Sequence, residues 1–125
     1  MTDDLLIRAE QIRTEALGSL DTATQSVLGQ FFTPARAATL IASMPRLPES
    51  GHVRLLDPGA GSGMLSAAVV ARVLAGRPSL SVHVVAVECD QMVVPYLRKT
   101  LGACSLAGNG SVTFDIIEGD FIMAA

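Results

Sequence analysis

The chain has 125 residues, 12 acidic against 9 basic side chains, a formal net charge of −3, 50% apolar residues and 17% charged ones. That length allows one domain with a real core, and the apolar fraction excludes a disordered segment. The acidic balance excludes the basic face of a free-standing nucleic-acid binder, but not a fragment whose nucleic-acid surface lies elsewhere.

The N-terminus, Met1-Thr2-Asp3-Asp4, is acidic where a secretion signal needs positive charge ahead of an apolar run. Residues Thr2 to Leu20 are predicted to form an amphipathic helix with Leu5, Ala9, Ile12, Ala16 and Leu20 on one face. Thr2 suits its N-cap, Asp3 and Asp4 its first turn, and Asp4 and Arg8 an i,i+4 pair. A short helical piece is expected from Asp21 to Leu28. Gly29 and Gln30 then open a loop, Phe31-Phe32-Thr33-Pro34. Thr33 as N-cap and Pro34 at the first helical position predict another helix to about Met44, ended by Pro45 and Pro48.

From there the pattern alternates. Val53 to Asp57 is an apolar strand, Pro58 to Gly63 a glycine-rich turn, and Met64 to Leu74 a helix closed by Gly76 and Pro78. The longest apolar run, Met64 to Ala75, contains Ser66 and Arg72 and is too short for a membrane span. Leu80 to Glu88 is a second strand. Asp90 to about Ala107 is a helix in which Pro95 either sits in the first turn or makes a kink, and Val112 to Glu118 is a third strand. Strands alternating with helices predict an α/β fold: a parallel sheet with right-handed crossovers, covered on both faces.

The chemistry gathers where those strands end. Asp57-Pro58-Gly59-Ala60-Gly61-Ser62-Gly63 follows the first strand and opens a helix, at the sheet edge where open α/β folds bind ligands. Glycines there let the backbone turn sharply and let a ligand approach closely. The spacing is G-x-G-x-G, not the dinucleotide fingerprint G-x-G-x-x-G. Glu88 ends the second strand, where an ionised carboxylate, an acceptor only, suits the hydroxyls of a ribose. Asp90 fits both this edge and the N-cap of the next helix. Asp120 and Phe121 follow the third strand and suit an adenine base, by a hydrogen bond to its amino group and by stacking. Three successive strands thus carry an acid at their ends: Asp57, Glu88 and Asp120.

Other polar residues have plainer readings. His52 and His83 show no partner in the sequence and are expected to be structural. Arg98 and Lys99 are a solvated helix face. Cys89 and Cys104 are too few for a disulfide framework or a zinc site and are expected as buried free thiols in a reducing cytoplasm. No metal site is expected.

Phe31-Phe32-Thr33-Pro34 ahead of Asp57-Pro58-Gly59-Ala60-Gly61-Ser62-Gly63, then Val87-Glu88-Cys89-Asp90 and Gly119-Asp120-Phe121, resembles the S-adenosylmethionine-binding half of adenine-specific DNA methyltransferases of restriction-modification systems. The resemblance covers about residues 28 to 121. It implies the N-terminal half of a Rossmann-like class I methyltransferase fold, with residues 1–50 a helical segment carrying the F-T-P motif and 51–125 a partial cofactor-binding domain. By position it implies that Phe31, Thr33 and Pro34 form the loop that contacts the methionine carboxylate. Asp57, Gly59, Ala60 and Gly61 would line the methionine moiety, Asp57 accepting from its amino group. Glu88 would hold the ribose hydroxyls, Cys89 flank the adenine, Asp120 bond its amino group, and Phe121 pack on the ring. The family often has Ala or Thr at the position of Gly59 and Cys at that of Ala60.

The family's catalytic motif, N-P-P-Y or D-P-P-Y, is absent: Asn109 is followed by Gly, and no two prolines are adjacent. The chain is therefore expected to hold the methyl donor without a catalytic residue of its own, DNA being contacted by regions outside it. In the family a fourth strand lies beside the first. An unpaired Val53–Asp57 edge is expected to join a second copy in a homodimer. An RNA or protein-glutamine methyltransferase, a nicotinamide-dinucleotide domain and a non-catalytic assembly module are the competing readings. The F-T-P segment separates the first of these from the adenine enzymes.

Overall fold

A computed structural model describes residues 2–19, 21 and 32–119. The expected helix from Asp21 to Leu28 (apart from Asp21 itself), and Leu20, Phe31, Asp120 and Phe121, lie outside the described residues. The elements are α1 (Thr2–Gly18), α2 (Ala35–Ala42), β1 (His52–Pro58), α3 (Met64–Gly76), β2 (Ser81–Glu88), α4 (Val94–Gly108) and β3 (Val112–Glu118). The strands form one parallel sheet in the order β1-β2-β3. Its register sets Asp57 beside Ala86, and Glu88 beside Glu118.

One face of this sheet makes the core. Val82, Val84, Ala86 and Val112 are buried there, with Val53, Leu55, Phe114 and Ile116 packed around them. Against them lie Ala67, Val70 and Val73 of α3 and Leu97, Leu101 and Cys104 of α4. Leu5 and Ala9 of α1 and Ala38 and Ala42 of α2 extend the same cluster.

Among the described residues nothing covers the other face, contrary to the sequence expectation. Leu56 on β1 is 53% exposed and Ile117 on β3 is 43% exposed. The reason is topological. The strands step across the sheet in chain order, and a right-handed crossover repeated in one direction returns every helix to the same side. Covering the second face needs a reversal of strand order, which these strands do not make. His83 lies on this open face and does have partners: its Nδ1 is 2.6 Å from Thr113 Oγ1 and its Nε2 is 3.1 Å from Asp115 Oδ2. His52 Nδ1 likewise lies 2.6 Å from Ser81 Oγ. These are cross-strand pairs, set by register and not by nearness in sequence.

The helices follow their spacing closely. Leu5, Ala9, Ile12 and Ala16 are all buried along α1. The helix begins at Thr2 itself, so Thr2 is not outside it as a cap. Arg8 lies 3.9 Å from Glu15, in place of the expected pair with Asp4. Helix α2 starts one residue later than expected, because Pro34 is extended (φ −71°, ψ 162°) and is itself the N-cap. Thr33 is therefore not the cap. The donor at Ala35 is satisfied from another helix: Glu10 Oε2 of α1 accepts from Ala35 N at 3.0 Å. Arg13 Nε donates to the other oxygen of Glu10 at 2.8 Å. The Arg13 hydrogen bond, reinforced by the one from Ala35, holds the Glu10 carboxyl below its ordinary value against the opposing effect of burial.

Helix α4 begins at Val94, four residues later than expected, and this puts Pro95 in its first turn, the first of the two places expected for it. Asp90 sits ahead of it: its Oδ1 accepts from Met92 N at 2.9 Å, and its carbonyl accepts from Val93 N and Val94 N. It caps the turn that leads into the helix, one turn before the helix proper.

Glu10→Ala removes the cap of α2 and the partner of Arg13, and is expected to lower the unfolding free energy by about 1 kcal/mol, as cap losses do. Because the native Glu10 pKa is lowered, its contribution is complete above the unfolded value and disappears as pH falls through the native one. Urea denaturation of both proteins at neutral and acid pH measures this.

Candidate functional site

At the carboxyl end of β1 the chain must leave the sheet and enter α3 within a few residues. Gly59, Gly61 and Gly63 all take positive φ, at 63°, 59° and 90°. A side chain at Gly63 would come within 3.0 Å of Leu97 Cδ1 and of Thr100 Cγ2, so this glycine lets α3 lie close to α4. A Cβ at Gly61 would sit 3.5 Å from the Phe32 ring. A Cβ at Gly59 would meet nothing within 4 Å and would fill open space above the turn.

Hydrogen bonds hold the turn to the sheet. Ala60 N donates to Val87 O at 2.9 Å, and Gly63 N to Ala60 O at 3.0 Å. Glu88, 8% exposed, ties two loops together. Its Oε1 accepts from Gly61 N at 2.8 Å and its Oε2 from Asp90 N at 3.0 Å. Each oxygen keeps acceptor capacity, since a carboxylate offers about four lone-pair sites.

Asp57 is 6% exposed. Ser66 Oγ, from the first turn of α3, donates to its Oδ2 at 2.6 Å. Burial pushes the Asp57 carboxyl above its ordinary value, the Ser66 hydrogen bond opposes this, and the negative charge of Glu88 adds to it.

A cavity of about 210 Å³ opens here, lined by Phe32, Thr33, Asp57, the turn from Pro58 to Ser62, Met64 and Leu65. The buried Phe32 ring packs with Ala16 of α1 and Val93 ahead of α4 and forms one wall. The structure thus brings together Thr33, Asp57, Gly59, Ala60 and Gly61, with Glu88 joined to them through Gly61. Pro34 is exposed at the start of α2. Cys89 is exposed after Glu88 and is not the buried thiol expected. Cys104 is buried as expected, and burial pushes its thiol up to about 12. Among the described residues no group of side chains could hold a metal ion, and no helix is long and apolar enough to cross a membrane.

Sequence reasoning missed Ser66 and Phe32. Phe32 stands inside the F-F-T-P segment, where the resemblance pointed to its neighbour Phe31. Ser66 carries one signal only, its place in the first helical turn after a strand ending in an acid.

A parallel sheet with crossover helices, a glycine turn after its first strand and buried acids at the ends of the first two strands is a Rossmann-like α/β fold. No family model matches the chain. It is 34% identical over 97% of its length to the type II methyltransferase M.PstI of Providencia stuartii. It is also 36% identical over 80 residues, 62% of its length, to the type II methyltransferase M.BsuBI of Bacillus subtilis. These similarities support a fragment of a restriction-modification methyltransferase. It spans 24% of the length of the first relative and 15% of the second.

Asp57→Asn is expected to stabilise the chain at neutral pH and to have no effect well below the carboxylate range. The native state binds the Asp57 proton more tightly than the unfolded chain does. Stability of the parent chain therefore falls as pH rises through the unfolded pKa, and the loss is complete above the native one. Denaturant titrations across a pH series compare the two proteins.

Proposed function

We propose that this chain is the S-adenosylmethionine-binding part of a DNA methyltransferase that acts on the exocyclic amino group of adenine. The observation that carries the reading is the pairing of two buried carboxylates, Asp57 and Glu88, around a glycine turn that leaves a cavity between itself and Thr33. The group supplies, when bound, a methyl on a sulfonium. The residues suit the rest of it. Asp57 lines the cavity as an acceptor for the ammonium of the methionine moiety. Helix α3 begins at Met64 after an N-cap, Gly63, that has no side chain to cap it, which leaves its first N–H groups for a carboxylate. Glu88 has acceptor capacity for the two ribose hydroxyls. Cys89 would flank the adenine, with Asp120 on its amino group and Phe121 on its face.

The F-T-P segment supports an adenine target, because it precedes the glycine turn in the order that the adenine-specific enzymes have. DNA would be contacted by other regions of the protein, in the cytoplasm. The chain contains no N-P-P-Y or D-P-P-Y sequence, so the proposal gives these residues binding of the methyl donor and not its transfer. The division of labour, 1–50 as the helical segment with the F-T-P motif and 51–125 as the cofactor domain, is part of the same reading.

Isothermal titration of the chain is expected to show binding of S-adenosylmethionine and none of NAD. Glu88→Ala should weaken that binding about tenfold or more, the scale of a hydrogen bond to a charged group. Binding of NAD in place of S-adenosylmethionine would overturn the reading. Labelled methyl is expected not to enter DNA with the chain alone. β1 pairs only with β2 among the described residues, which supports association through its free edge. Light scattering is expected to give a dimer at high concentration, and a monomer throughout would count against it.

A further inference from the structure

We propose that Ser66 is a positioning residue for the ammonium of the bound ligand: its hydroxyl holds one oxygen of the Asp57 carboxylate and leaves the other for the cavity. The inference rests on the reading of that cavity as the S-adenosylmethionine site.

The geometry is specific. Ser66 is 0% exposed, so its hydroxyl has no water to bond. A serine within a helix commonly donates to its own helix, to the carbonyl one turn back. Ser66 instead donates across to β1, to Asp57 Oδ2 at 2.6 Å. Asp57 Oδ1 carries no hydrogen bond among the described residues, and Asp57 lines the cavity. The terminal torsion of an aspartate is soft and does not set the plane of its carboxylate. A fixed donor does.

The same hydrogen bond acts on charge. An ammonium is drawn by an ionised carboxylate, and both burial and Glu88 favour the neutral acid at Asp57. Ser66 opposes both. Of the described groups near Asp57, Glu88 comes from β2 and Ser66 from α3, and Thr33 also lines the cavity. Among the described residues only Ser66 donates to the carboxylate.

The test compares two ligands on the full chain. S-adenosylmethionine carries the amino-acid moiety, whereas 5′-methylthioadenosine has the same nucleoside and lacks it. Ser66→Ala is expected to weaken S-adenosylmethionine binding about tenfold, the scale of a charge-assisted hydrogen bond, and to leave 5′-methylthioadenosine unchanged. Combined with Asp57→Asn, it should add no further loss, because the two residues act as one unit. Ser66→Cys, close in size and a weaker donor, should fall between, and carries the comparison if the alanine variant does not fold. Unchanged binding of S-adenosylmethionine by Ser66→Ala overturns the proposal. So does an equal loss for both ligands, which would mark a merely structural role. A parent chain that binds no S-adenosylmethionine overturns the reading of the site, and this proposal with it; only that outcome leaves the unsubstituted protein without ligand.

Discussion

The handedness of the strand crossovers governs this molecule. Parallel neighbours cannot be joined by a tight hairpin, and the connecting helix winds right-handed almost without exception. With strands in the running order β1-β2-β3, that rule puts α3 and α4 on one face. Every later choice follows. The N-terminal helices cannot reach the sheet directly and pack on α3 and α4, so their small buried residues, Ala9, Ala38 and Ala42, suit close helix contact. The loops after β1 and β2 open at the same end, which is where the two buried acids meet.

The site is an electrostatic compromise. Burial, with the negative charge of Glu88 added to it, pushes the Asp57 carboxyl upward. The fold answers with donors: the Ser66 hydroxyl on Asp57, and two backbone N–H groups, from Gly61 and Asp90, on Glu88. The cost of burying charge is thus tolerated at the place where charge has a use. The same logic appears at a distance in Glu10, which joins α1 to the start of α2 behind Thr33. The N-terminal helix is therefore part of what sets the wall of the cavity, through Glu10 on Ala35 and Ala16 on Phe32.

Much of this was legible in the sequence because it is local. The strand predicted over Val112 to Glu118 is β3 residue for residue, and the predicted Val53 to Asp57 is β1 less one residue at each end. The buried stripe of α1 fell where helical spacing put it. What stayed hidden depends on parts of the chain that meet only after folding. Ser66 and Asp57 are nine residues apart, and Glu10 and Ala35 twenty-five, so no periodicity links them. His83 finds Thr113 and Asp115 because β3 lies beside β2 in a given register. The bare face of the sheet escaped notice for a different reason. An apolar strand pattern tells that a strand is fit to be covered on both sides, not that anything in these residues does so.

The two cysteines show how sharply the fold separates chemically identical groups. Cys104 lies in the core with its thiol pushed up to about 12, so near neutral pH it offers neither a thiolate nor a path for a reagent. Cys89 is exposed and stands one peptide bond from Glu88. A maleimide dye added to the unaltered protein would thus attach at a single position, on the rim of the cavity end of the sheet. The molecule comes with its own handle for a fluorescent reporter, and no cysteine has to be engineered in or out to use it.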